Sequence, residues 1–87
     1  MTADRIRRFI VDELRWPGGA EDLAAETSLI DDGIIDSLGI VKMIAFLERE
    51  FGIRIDDEEV LPRNFETIDA IATFVRHKRA GRAVGEA

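Results

Sequence analysis

Apolar residues return every three or four positions in three stretches of this chain, and that spacing predicts three main helices. In the first, residues 2–15, Ile6, Phe9, Ile10 and Leu14 share one face. Thr2 or Asp4 offers a start signal, and the run Trp16-Pro17-Gly18-Gly19 ends it, because proline and paired glycines do not continue a helix. The second runs over 37–51. At about 100° per residue its core face is Ile40, Ile44, Leu47 and Phe51, flanked by Val41 and Met43. Gly52 then supplies the stop. The third starts at Thr67 as N-cap and continues to about Lys78, with Ile68, Ile71, Ala72 and Val75 on one side.

Between the first two helices lies a connection of unusual length, 17–36, that Leu23, Leu29, Ile30, Ile34 and Ile35 can anchor. Between the second and the last, a single helical turn is expected at 57–61, closed by Pro62. One weakly alternating piece, Phe51-Gly52-Ile53-Arg54-Ile55, is too little for a sheet. The expected architecture is all-α: a small four-helix bundle of three main helices and a short third one, with a long first loop. One domain over 1–79 and a frayed tail over 80–87 account for the chain, whose 87 residues are enough for one domain and not two.

On the second helix Leu38, Lys42, Ala45, Phe46 and Arg49 point away from the predicted core. Leu38, Ala45 and Phe46, rimmed by Lys42, Glu48 and Arg49, form a candidate contact patch. The other reading is that Phe46 leans onto the first loop and is half-buried. Ser37, at the start of this helix and after an acidic loop, fits the N-cap role, although Ile40 stands where a capping box needs Glu or Gln.

Composition narrows the chemistry. There is no cysteine and a single histidine, so disulfides, cysteine-ligated zinc, a cysteine nucleophile and a histidine-rich metal site are excluded. His77 sits in a basic stretch and reads as a solvated residue near a helix end, so a Ser-His-Asp arrangement is not expected. With Gly33 at the sixth position of a calcium loop, the third would be Ile30 and the twelfth Gly39, so that pattern fails too. No catalytic and no metal-binding residue is assigned. The net charge is −6, and the window 16–41 holds six acidic residues and no Lys or Arg. That surface disfavours nucleic acid. It either steers basic protein partners or simply keeps the loops solvated. No apolar run reaches membrane-spanning length, and the opening MTADRIRRF lacks a signal-peptide stretch, so the expected setting is the cytosol.

Several loose patterns occur in order: a leading amphipathic helix, a long loop, SLIDDGIIDSLG, a helix ending LEREFGI, the turn DDEEVLP and the closing NFETIDAIATFV. Together they resemble acyl carrier and peptidyl carrier proteins, the phosphopantetheine-binding domains. The resemblance implies that Ser37, within Asp36-Ser37-Leu38, receives a 4′-phosphopantetheine arm from coenzyme A, which brings the thiol that the chain lacks. It implies a monomer served by a phosphopantetheinyl transferase, an acyl or aminoacyl ligase or transferase, and a downstream synthase. By position, the partner surface would be Lys42, Ala45, Phe46, Glu48 and Arg49, with Asp57 and Glu58. Lys42 and Arg49 depart from the acidic helix of fatty-acid carriers. That argues against a role in primary fatty acid synthesis, and LIDDGIIDSLG and VLPRNFETI resemble free-standing aminoacyl or peptidyl-type carriers of specialised pathways, polyketide-like or nonribosomal-peptide-like. An acyl pocket in such carriers would take Val41, Ile44, Ile55, Leu61 and Ile68, which periodicity alone reads as ordinary core. The competing reading is an unmodified carrier-like docking module.

Overall fold

In the computed structural model, residues 2–14 and 16–81 are described. Four α-helices carry the fold: α1 (Thr2–Glu13), α2 (Ser37–Phe51), α3 (Pro62–Phe65) and α4 (Ile68–Arg79). Short 3₁₀ turns occupy Ala20–Asp22 and Asp57–Glu59, and the described residues contain no strand. The all-α expectation holds. The expected end of the first helix at residue 15 and the tail beyond Gly81 lie outside the described residues.

α1 and α3 both pack on α4, and α2 closes against it. The core draws on every element: Ile6 and Ile10 from α1, Met43, Leu47 and Phe51 from α2, Phe65 from α3, and Ile68, Ile71, Ala72, Phe74 and Val75 from α4. Phe65 and Phe74 meet at 5.5 Å between ring centroids, fixing the one-turn α3 to α4. The ends of α4 follow the sequence reading. Thr67 caps it, its hydroxyl accepting from the Ala70 N–H at 3.0 Å.

The long first loop is a packed strap rather than a loose connection. Leu23, Leu29, Ile34 and Ile35 are buried, whereas Ile30 is exposed. Backbone bonds complete the attachment. The Leu29 N–H donates to the Glu66 carbonyl at 2.7 Å, and the Asp69 N–H donates to that of Ala25 at 3.0 Å. The Leu29 carbonyl accepts from both Ile34 and Ile35, and Gly33 takes a φ of 74° in the turn between. Arg7 Nε donates to the Leu23 carbonyl at 2.9 Å, tying α1 to the same strap.

Two expectations need correction. Pro62 does not close a helix; it opens α3, and the turn before it is 3₁₀. The first position of a helix needs no N–H, so proline suits it. The core face of α2 is also rotated. Gly39, Met43, Leu47 and Phe51 are buried, Ile40 and Ile44 are half-buried, and Val41 is 60% exposed. The cause is α1: Phe9 stacks on Phe46 at 4.3 Å and 13°, and Phe46 meets Phe51 edge-on at 6.1 Å. This draws the Phe46 side of α2 inward and turns Val41 out.

Candidate functional site

The strap delivers the chain to α2 through buried Ile34 and Ile35, so the residues that follow have a fixed place at the helix start. Asp36, not Ser37, is the N-cap. Its carboxylate accepts from the Gly39 N–H at 2.7 Å, and its carbonyl accepts from the Ile40 N–H. Gly39 makes room for this: a Cβ there would stand 3.2 Å from Asp36 Oδ1. Ser37 is the first helical residue, exposed, and its hydroxyl has no hydrogen-bond partner among the described residues. The sequence reading places the cap on Ser37; the structure puts it one position earlier, on Asp36.

A groove of about 350 Å³ opens beside Ser37. Ile30, Ile35 and Ile40 form one side, and Val60, Leu61, Pro62 and Phe65 form the other. Of the residues proposed from sequence for a pocket, Leu61 lines this groove. Ile44 and Ile55 are half-buried outside it, Ile68 lies in the core, and Val41 faces solvent. Sequence reasoning missed the groove's main walls. The doubled isoleucine 34–35 and the Val-Leu-Pro run were the signals available.

On the outer face of α2, Leu38 is 62% exposed and adjoins Val41, with Lys42, Ala45 and Arg49 also exposed. Asp57 and Glu58 are exposed on the 3₁₀ turn. Two sequence-proposed contact residues have structural work to do. Phe46 is half-buried against Phe9 on α1, not on the first loop. Glu48 accepts the Ile55 N–H at 2.9 Å, pinning the segment after α2. His77 is exposed in the last turn of α4. Among the described residues no helix is long and apolar enough to cross a membrane.

The family model for the phosphopantetheine attachment site matches residues 4–75. The chain belongs to the phosphopantetheine-attachment carrier family. Among curated proteins, the acyl carrier protein of Nitratidesulfovibrio vulgaris (strain DSM 19637 / Miyazaki F) is 34% identical over 76 residues, 87% of this chain and 95% of the relative. Among solved structures, the apo peptidyl carrier KstB-PCP has a TM-score of 0.75 and 39% identity, covering 92% of this chain and 86% of that one. A chain in a crystal structure of an FAD-dependent dehydrogenase has a TM-score of 0.71 and 33% identity, with 80% of this chain covering 97% of it. The cofactor of this carrier-family chain is covalent 4′-phosphopantetheine. Members of the family are carriers, and they act with partner enzymes.

Proposed function

We propose that Ser37 receives the arm and that this carrier passes acyl or aminoacyl thioesters between the enzymes of a specialised pathway. The carrying observation is the division of labour at the start of α2. Asp36 caps the helix while the Ser37 hydroxyl stays exposed and uncommitted. The Ser37 and Leu38 N–H groups of the first turn have no partner among the described residues, and the end of a 15-residue helix favours an attached phosphate. The residues present therefore fit the group. Ser37 Oγ forms the phosphodiester, the pyrophosphate of coenzyme A breaks, the nucleotide leaves, and the serine proton passes to the transferase. The arm supplies a thiol, in a chain without cysteine.

For partners, the reading assigns the exposed stripe Leu38, Val41 and Ala45 with Lys42 and Arg49, and adds Asp57 and Glu58 at its edge. It leaves Phe46 and Glu48 as structural supports. The groove of Ile30, Ile35, Ile40, Leu61 and Phe65 is the candidate shelter for apolar cargo. Support for a specialised pathway comes from the cationic Lys42 and Arg49 and from the likeness to KstB-PCP. The likeness to a small chain in a flavin dehydrogenase crystal makes such an oxidoreductase a candidate partner. The setting proposed is the cytosol, where coenzyme A is at hand.

Intact-mass measurement after incubation with coenzyme A, magnesium and a broad-specificity phosphopantetheinyl transferase tests the assignment. The wild type is expected to gain one phosphopantetheine and Ser37→Ala none. A folded wild type that gains nothing leaves the unmodified docking module as the reading.

A further inference from the structure

The two buried polar side chains among the described residues, Glu59 and Asn64, belong to one short segment. The Glu59 carboxylate meets Lys78 Nζ at 2.8 and 3.0 Å, and its Oε1 also accepts the Asp56 N–H at 3.0 Å. The Glu59 carbonyl accepts from Asn64 Nδ2 at 2.8 Å and from the Leu61 N–H at 2.9 Å. The side chains of the pair are only 10% and 16% exposed. Lys78 is in the last turn of α4; Glu59 directly precedes Val60, Leu61 and Pro62, which with Phe65 form one wall of the groove beside Ser37.

We propose that the Glu59–Lys78 pair is a latch that positions this wall, so that the end of α4 sets the width of the groove next to Ser37. α3 is a single turn of four residues, and a helix that short does not hold itself in place. The wall therefore depends on its tethers. On one side Phe65 anchors it in the core. On the other, the two Lys78 bonds to the Glu59 carboxylate hold its leading edge to α4, while the Asp56, Leu61 and Asn64 bonds fold the segment around Glu59. A mostly buried ion pair is a poor route to stability, since apolar replacements of similar volume often serve as well or better. Its use here is positional. Glu59 and Lys78 are positioning residues: neither lines the groove, and both act through the Val60–Leu61–Pro62 edge. The inference rests on the groove's geometry and stands whether or not Ser37 carries the arm.

Residue-resolved amide hydrogen exchange on the full chain tests it, comparing wild type with Lys78→Met and Lys78→Arg. Releasing the latch in Lys78→Met should speed exchange at the bonded amides of Val60, Leu61 and Asn64 by about tenfold while Met43 and Leu47 on α2 keep their protection. Lys78→Arg, which keeps the cation, should restore most of the protection. Uniform acceleration across all helices would reduce the pair to a global stabiliser and overturn the proposal, as would unchanged exchange at the wall. Should Lys78→Met fail to fold, Lys78→Ala, which also removes the donor but lets water reach the Glu59 carboxylate, gives the same contrast with the same two readings. Because exchange is read on unmodified protein, a negative result here is distinct from a negative result in the arm-attachment experiment.

Discussion

At Asp36 and Ser37 a one-position difference in register separates two roles. Aspartate and serine cap helices about equally well, so adjacent candidates cannot be ranked from local sequence. The choice is decided by what surrounds the first turn, including the missing Cβ of Gly39 beside the Asp36 carboxylate. The energetic consequence is direct. Asp36→Ala should cost about 1 kcal/mol in urea unfolding, and Asp36→Asn only a few tenths, because asparagine can still accept the Gly39 N–H. Ser37→Ala should leave stability within about 0.5 kcal/mol, as expected of an exposed side chain that bonds nothing. A loss at Ser37 as large as that at Asp36 would mean that the hydroxyl is the cap after all.

At the scale of elements, what could be read depended on competition among faces. α4 was legible nearly to the residue, because Thr67 is its one capping side chain and its apolar positions form a single stripe. α2 was legible in extent but not in rotation. Apolar residues surround much of it, and a period fixes the spacing of a stripe, not which of several stripes turns inward. Phe9, distant in sequence, settles that by stacking on Phe46. Phe46→Ala should therefore lower stability by about 2 kcal/mol, and a double-mutant cycle with Phe9→Ala should show about 1 kcal/mol of coupling between the rings. A cycle with no coupling would remove the stack as the cause of the rotation. At the other end of α2, Gly52 takes a φ of 65°. Gly52→Ala should cost about 1 kcal/mol, measurable as a lowered denaturation midpoint with unchanged slope. α3 went unread because a proline that stops one helix and one that starts another look alike in sequence.

Across the whole molecule, the candidate site is assembled from parts of different legibility. Asp36-Ser37-Leu38 could be found from its motif, and the strap's anchors Leu23, Leu29, Ile34 and Ile35 from their apolar character. The groove could not, because its walls come from two distant segments. The backbone bonds of Leu29 with Glu66 and of Asp69 with Ala25 leave no mark on residue identity. The acidic loop before Ser37 and the cationic Lys42 and Arg49 farther along α2 give this side of the molecule two poles. Leu38→Arg should leave unfolding within about 0.5 kcal/mol, since the side chain is mostly exposed. It should slow arm attachment by the transferase, a loss read from the initial rate of mass gain. An unchanged rate would remove Leu38 from the surface that the enzyme grips.

The stitched strap has a mechanical consequence. Leu29 is bonded forward to the residues that lead into Ser37 and across to the corner between α3 and α4. Ser37 is therefore mounted on a braced bracket rather than hung from a tether. A displacement of the Ser37 end of α2 would pull on the strap and on the corner between α3 and α4 together. With the arm on Ser37 as proposed, travel between distant active sites would come from the length of that arm, and the protein would serve as the handle whose docked orientation aims it.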